Sequence, residues 1–138
     1  MSIVSIAVFI SGEGTNLQAL IQAIALQKLS AVISLVVSNR PDAPGLRWAK
    51  MAGIDVVVVD HRQAPSRADF DQQLIDAIEP YQVDYVVLAG FMRRLTPLFV
   101  SRYENRILNI HPSLLPRYPG LHTHQRVLAA GDREHGCS

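Results

Sequence analysis

The stretch Val4–Asn16, VSIAVFISGEGTN, decides how this chain folds. Val4–Ile10 is an apolar run rich in β-branched residues, Ser11–Asn16 closes it, and Leu17, Leu20, Ile21 and Ile24 then fall at helical spacing. The order is strand, glycine loop, helix. Glycines let a backbone come close to a ligand, and a helix N-terminus offers unpaired N–H groups with partial positive charge, so a phosphate suits this loop. A tight turn with Asn16 as helix cap is the other reading of the same residues. The spacing is neither that of a Walker A loop nor that of the full dinucleotide fingerprint.

The pattern repeats outward from there. Ala31–Ser38 (AVISLVVS) is nearly continuous in apolar residues, as a parallel strand buried on both faces would be. Residues 39–45 are loop, Leu46–Met51 is a short helix ended by Gly53, and Ile54–Val59 is a third strand. Ser66–Ile78 reads as a helix capped by Ser66, with Asp69 in the position of a capping-box acid and Phe70, Leu74, Ile75 and Ile78 as its buried stripe. Arg67 sits in its first turn, where a cation opposes the helix dipole, which hints at a use elsewhere. Val83–Gly90 is the fourth strand, Thr96–Tyr103 a short helix with Pro97 in its first turn, and Ile107–His111 the fifth strand. The expected fold class is α/β: a doubly wound, mostly parallel sheet with right-handed crossovers.

The segment Ile107–Gly120, ILNIHPSLLPRYPG, holds the chemistry. Asn109 and His111 alternate, so on a strand both point to one side of the sheet. Pro112, Pro116, Pro119 and Gly120 end the strand in an irregular loop, and groups at such strand ends serve catalysis in open α/β sheets. On the residues alone, the plainer reading is that Asn109 and His111 satisfy backbone groups in the loop. His122 and His124, with no cysteine or carboxylate beside them in order, are a poor zinc set, so no metal is expected. His124–Ala130 has the pattern of a short helix ending at Gly131.

Composition bounds the function. With 138 residues, 49% of them hydrophobic and 18% charged, the chain fits a single folded domain rather than a disordered segment. A net charge of +1 gives no global reason to expect nucleic acid or membrane as a partner, so any anion site must be local. The single cysteine, Cys137, rules out an intrachain disulfide and fits a reducing compartment. Ile3–Ile10 is too short to span a membrane and lacks the features of a signal peptide, and a cytoplasmic protein is expected.

Four segments carry a resemblance. Asn-Ile-His-Pro-Ser-Leu-Leu-Pro at 109–116, followed by Tyr-Pro-Gly-Leu-His-Thr-His at 118–124, resembles the active-site segment of the glycinamide ribonucleotide formyltransferases. Its Asn-x-His-Pro-Ser core is shared by the wider folate formyltransferase superfamily. Ser-Gly-x-Gly-Thr-Asn at 11–16 is similar to the family loop that holds the substrate's ribose phosphate, which implies that role for Gly14, Thr15 and Asn16. Arg67 matches an arginine that contacts the formyl-folate, and Ala-Gly-Phe-Met-Arg at 89–93 the segment that lines the pterin pocket. The resemblance thus assigns Arg67, Met92, Arg93, Arg94, Leu95 and Asn109 to folate binding. Arg94 stands where the family carries an aliphatic residue: an outward side chain would leave the pocket intact, an inward one would disturb it.

What the resemblance implies is a Rossmann-like formyltransferase fold in one domain over residues 1–138, with its C-terminal strands missing. The reaction is transfer of a formyl group from the co-substrate 10-formyltetrahydrofolate to the amine of 5-phosphoribosylglycinamide, in purine synthesis. The partners it implies are these small molecules, with no nucleic acid or membrane expected, and a monomer or homodimer is the expected state. Formyl transfer to an amine passes through a tetrahedral species with negative charge on the former carbonyl oxygen. Asn109 can donate to that oxygen, and a protonated His111 can donate there and act as general acid. The family adds an aspartate in a Leu-Asp-Gly-Gly segment that the sequence does not reach, and Asp132 lies in the wrong context to replace it. The 138-residue chain is therefore expected to be impaired in transfer, with Ile107–His111 left as a sheet edge. Competing readings are a formyltetrahydrofolate hydrolase, a methionyl-tRNA formyltransferase, which needs a further nucleic-acid-binding domain, and a non-catalytic phosphate- or folate-binding remnant. A generic NAD-binding domain is weaker, because no acidic residue ends the second strand.

Overall fold

The computed structural model describes residues 3–110. Within them run β1 (Val4–Ile10), α1 (Thr15–Ala25), β2 (Ala31–Ser38), α2 (Leu46–Met51), β3 (Val56–Val58), α3 (Arg67–Ile78), β4 (Tyr85–Leu88), α4 (Pro97–Arg102) and β5 (Ile107–Asn109). Short 3₁₀ turns at His61–Gln63 and Glu79–Tyr81 flank α3. The five strands pair in the order β3-β2-β1-β4-β5, and all four pairings are parallel. β3 and β5 are its edges among the described residues.

The expected strands Ile54–Val59 and Val83–Gly90 pair over less of their length. β3 matches only Val36–Ser38 of β2, and β4 is bounded by the span over which β1 and β5 reach it. Of the expected fifth strand, Ile107–Asn109 is paired and the Ile110 N–H donates to the Leu88 carbonyl at 3.2 Å. His111, the proline loop, His122, His124, the expected helix at 124–130 and Cys137 lie outside the described residues.

The sheet separates two apolar cores, and the chain winds onto both faces. Leu17 and Leu20 of α1 and Leu46 and Ala49 of α2 pack with Ile6, Val8, Ile10, Val36 and Val87. Phe70, Leu74, Ile75 and Ile78 of α3 and Phe99 of α4 pack with Ala7, Phe9, Leu35, Val37 and Leu88 on the other side. Phe9 is fully buried and meets Phe91 and Phe99 edge-on, with centroids 5.3 and 5.7 Å away, contacts worth about 1 kcal/mol each beyond their buried area. The register of β1 against β2 shifts between Ile6, opposite Ile33, and Ala7, opposite Leu35. Ser34 is the extra residue, and its hydroxyl meets that of Ser5 at 2.6 Å. This bulge swaps the parity of β2, so that Ile33 and Leu35 serve opposite cores.

α3 starts as its sequence requires. The Ser66 hydroxyl oxygen accepts from the Asp69 N–H at 3.1 Å and donates to the Asp69 carboxylate at 2.9 Å. The four expected stripe residues are all buried, and so is Asp71, with no exposure at all.

Candidate active site

Chain order reverses between β1 and β4, where β1 leads outward to β2 and β3 and β4 leads outward to β5. Loops leaving the carboxyl ends of such neighbours part to opposite faces and leave a crevice between them. Three of the segments expected to carry function converge there: the loop 11–14 after β1, the segment 89–95 after β4, and Asn109 at the end of β5.

Gly14 turns the first loop into α1 with φ of 76°, a left-handed conformation that glycine adopts without strain. It also lies so close to Gly45 that a Cβ on either would stand 2.8 Å from the other's Cα. The Gly45 N–H donates to the Gly12 carbonyl at 2.9 Å and the Trp48 Nε1–H to the Glu13 carbonyl at 3.2 Å, so the start of α2 braces the loop. Asn16 is not the helix cap. Gly14 occupies the cap position with no side-chain cap bond, and Asn16 lies inside the first turn. Its Oδ1 is buried with no partner among the described residues. α1 has no acidic residue in its first turn, so its positive end is uncompensated by its own side chains.

The segment after β4 is pinned at both ends. The Met92 N–H donates to Ser11 Oγ at 2.7 Å, and the Thr96 N–H donates to Asp71 Oδ2 at 2.7 Å, with the Thr96 hydroxyl donating to the same oxygen. Met92 is 80% exposed, and between the two anchors Arg93 and Leu95 are half-buried and Arg94 is exposed. An outward Arg94 leaves the apolar wall of Phe91 and Leu95 in place. Arg67, at the start of α3, is exposed, and neither it nor Arg93 or Arg94 has an ion-pair partner among the described residues. Asn109 pairs with Leu88 and is half-buried, which by strand alternation puts its side chain on the face of Leu88 and Phe9.

Four further residues hold this region together, and the sequence did not single them out. Ser11 Oγ donates to Asn39 Oδ1 at 2.5 Å, and His61 Nδ1 lies 3.1 Å from the Asn39 side-chain Nδ2 and 3.2 Å from the Asn39 backbone carbonyl. His61 packs edge-on against Phe70. Asp71 is the fourth. A signal existed for two of them: Ser11 directly follows one strand and Asn39 the next. Beside them, Asp60 accepts from Arg62 Nε and Nη2 at 3.0 and 2.8 Å. That side-chain bonding, with the Arg62 N–H, holds its carboxyl down at about 2. No group of three His, Cys, Asp or Glu that could hold a metal occurs among the described residues.

The family described as "Formyl transferase" matches residues 4–138. The phosphoribosylglycinamide formyltransferase of Escherichia coli is 52% identical over 134 residues, which are 97% of this chain and 63% of that protein. A trifunctional purine biosynthetic protein of Gallus gallus is 49% identical over 98% of this chain and 14% of its own. Among solved structures, a phosphoribosylglycinamide formyltransferase of Coxiella burnetii superposes with a TM-score of 0.76 at 52% identity, covering 94% of this chain and 61% of that one. The chain thus spans less than two thirds of these relatives. With the glycine loop, the β4 segment and Asn109 gathered at the carboxyl ends of three neighbouring strands, and with the match running from Val4 to Ser138, the chain belongs to the formyl transferase family.

Proposed function

We propose that the protein carrying this chain transfers a formyl group from 10-formyltetrahydrofolate to the amine of 5-phosphoribosylglycinamide. The observation that carries this reading is the meeting, at one topological switch point, of an uncapped helix start behind Gly14, an apolar segment bordered by arginines without an ion-pair partner among the described residues, and Asn109. Each part fits one piece of the two substrates. Gly14, Thr15 and Asn16 present the N-terminus of α1 to the ribose phosphate, an anion that the helix dipole and free N–H groups favour. Phe91, Met92 and Leu95 offer apolar contact to a flat heteroaromatic ring. Arg67, Arg93 and Arg94 suit the carboxylates of a folate.

The formyl-folate supplies an activated one-carbon unit. Asn109 donates its amide N–H to the formyl oxygen, where negative charge develops as the amine attacks. His111, two residues on in the sequence, holds a proton for the leaving nitrogen and shares that oxygen with Asn109. No helix among the described residues is long and apolar enough to cross a membrane, and with the small-molecule substrates this fits a cytoplasmic enzyme.

The test is the mass of phosphoribosylglycinamide after incubation of the intact protein with 10-formyltetrahydrofolate. Gain of one formyl group, with folate consumption that depends on the acceptor, supports the reading. Consumption independent of acceptor would make the protein a hydrolase, and binding of both ligands without turnover a non-catalytic module.

A further inference from the structure

The loops that follow β1, β2, β3 and β4 are joined by one chain of side-chain hydrogen bonds. Ser11 is its hub. Its single hydroxyl proton goes to Asn39 Oδ1, which leaves its oxygen to accept the Met92 N–H, and Asn39 in turn meets His61 just beyond β3. Ser11 is 3% and Asn39 2% exposed, so water does not replace either partner without local opening. Ser11 is also the first residue of the loop that ends at Gly14, and Met92 lies at the heart of the segment that follows β4. Moving one loop away from the other strands the Met92 N–H without its acceptor. The two loops therefore hold their working positions together or lose them together.

Resting on the functional reading above, we infer that Ser11 is a positioning residue that couples the two substrate sites. A phosphate that orders residues 11–16 fixes the acceptor for the Met92 N–H, and a folate that orders residues 91–95 fixes the donor to Ser11. Linkage makes the effect reciprocal: each ligand tightens the other by the same factor. Ser11 touches no reacting atom in this role.

Trp48, the one tryptophan of the sequence, donates to the Glu13 carbonyl beside Gly14, so its fluorescence reports the phosphate loop. Phosphoribosylglycinamide is titrated into the intact protein with and without saturating tetrahydrofolate, which has no formyl group to transfer. In the unmutated protein the added folate should lower its Kd about fivefold, the scale of one part-buried hydrogen bond. In Ser11→Ala each ligand alone should bind within about threefold of the unmutated protein while that ratio falls to about one, and Ser11→Thr should restore it. A merely structural serine would change stability and leave the ratio alone. Should Ser11→Ala not fold, hydrogen exchange on the unmutated protein decides: phosphoribosylglycinamide alone must protect the Met92 amide. A ratio of one in the unmutated protein, a ratio kept in Ser11→Ala, or a Met92 amide indifferent to the nucleotide overturns the coupling. Failure of either ligand to bind the unmutated protein overturns the reading of the site itself, and the coupling with it.

Discussion

Alanine at Gly14, Gly45 and Gly53 separates two costs that the glycine loop after β1 combines. Gly53 has φ of +72° with nothing within 4 Å of an added Cβ, so Gly53→Ala meets only the left-handed penalty, about 1–2 kcal/mol. Gly45 has an ordinary helical conformation, φ −64° and ψ −18°, but its Cβ would stand 2.8 Å from the Cα and N of Gly14. Those atoms are backbone and cannot swing away. Overpacking of that kind costs about 1–3 kcal/mol. Gly14→Ala meets both, with φ of +76° and Gly45 Cα at 2.8 Å. Each change also removes freedom from the unfolded chain, which returns about 0.4–1 kcal/mol. The net expectation is about 1 kcal/mol for Gly53→Ala, 1–2 for Gly45→Ala and 2–4 for Gly14→Ala. Urea denaturation with unchanged m-values reads these losses directly. Because Gly14 and Gly45 share one contact, the double variant should cost less than the sum of the two. On the function proposed above, phosphoribosylglycinamide affinity should fall in Gly14→Ala and Gly45→Ala and hold in Gly53→Ala. If Gly14→Ala costs no more than Gly53→Ala, the close approach of the two glycines does not constrain the loop and the reasoning fails.

Asp71→Ala should cost about 2–3 kcal/mol, since it strands the Thr96 N–H and hydroxyl that now share one carboxylate oxygen; a urea midpoint within error of the parent would show that the carboxylate anchors nothing. Ser66→Ala should lose about 1 kcal/mol of α3 capping, read by thermal melting, and Ser66→Asp should recover most of it. Asp60, bonded to Arg62, is held at about 2 against an ordinary 3.8. Its folded value lies below its unfolded one, so its stabilising effect is complete above about pH 4 and is lost as pH falls through about 2. Carboxyl NMR should show that low midpoint, and Arg62→Ala should return it towards 3.8; a parent midpoint near 4 contradicts the assignment.

The sheet was legible because buried parallel strands are written as apolar runs. Val4–Ile10, Ala31–Ser38 and Leu46–Met51 have the ends their sequences imply, and Ser66 caps α3 as its pattern does. Less visible were features that depend on a neighbour. How far Ile54–Val59 and Val83–Gly90 pair is set by where the adjacent strand stops, and the Ser34 bulge reverses an alternation that the sequence of β2 cannot display alone. Asn16 has the chemistry of a cap, but the backbone turn at Gly14 takes the position first. Asp71 sits beside the apolar stripe of α3, and its reason for being buried, Thr96, lies 25 residues away. Ser11, Asn39 and His61 are ordinary loop residues until the sheet brings their strand ends together. The positions of Gly14, Thr15, Arg93 and Asn109 around one crevice follow from the strand order, whereas Arg67 is simply exposed at the start of α3, and the roles proposed for all five were suggested by the resemblance.

The central place of β1 also sets a clock during synthesis. Of the five strands β1 is made first, and β2 can pair with one of its sides soon afterwards, but its other neighbour is β4. The Ser5 N–H and the Asp84 carboxylate that lock this second side are 79 residues apart. At about 5–20 residues per second, the ribosome needs roughly 4–16 s to deliver that partner. Through that interval Ile6–Phe9 presents an unpaired apolar edge, open to pairing with another nascent chain. Aggregation during expression should therefore respond to changes that slow translation between Ile10 and Tyr85 more than to changes of equal size later in the chain.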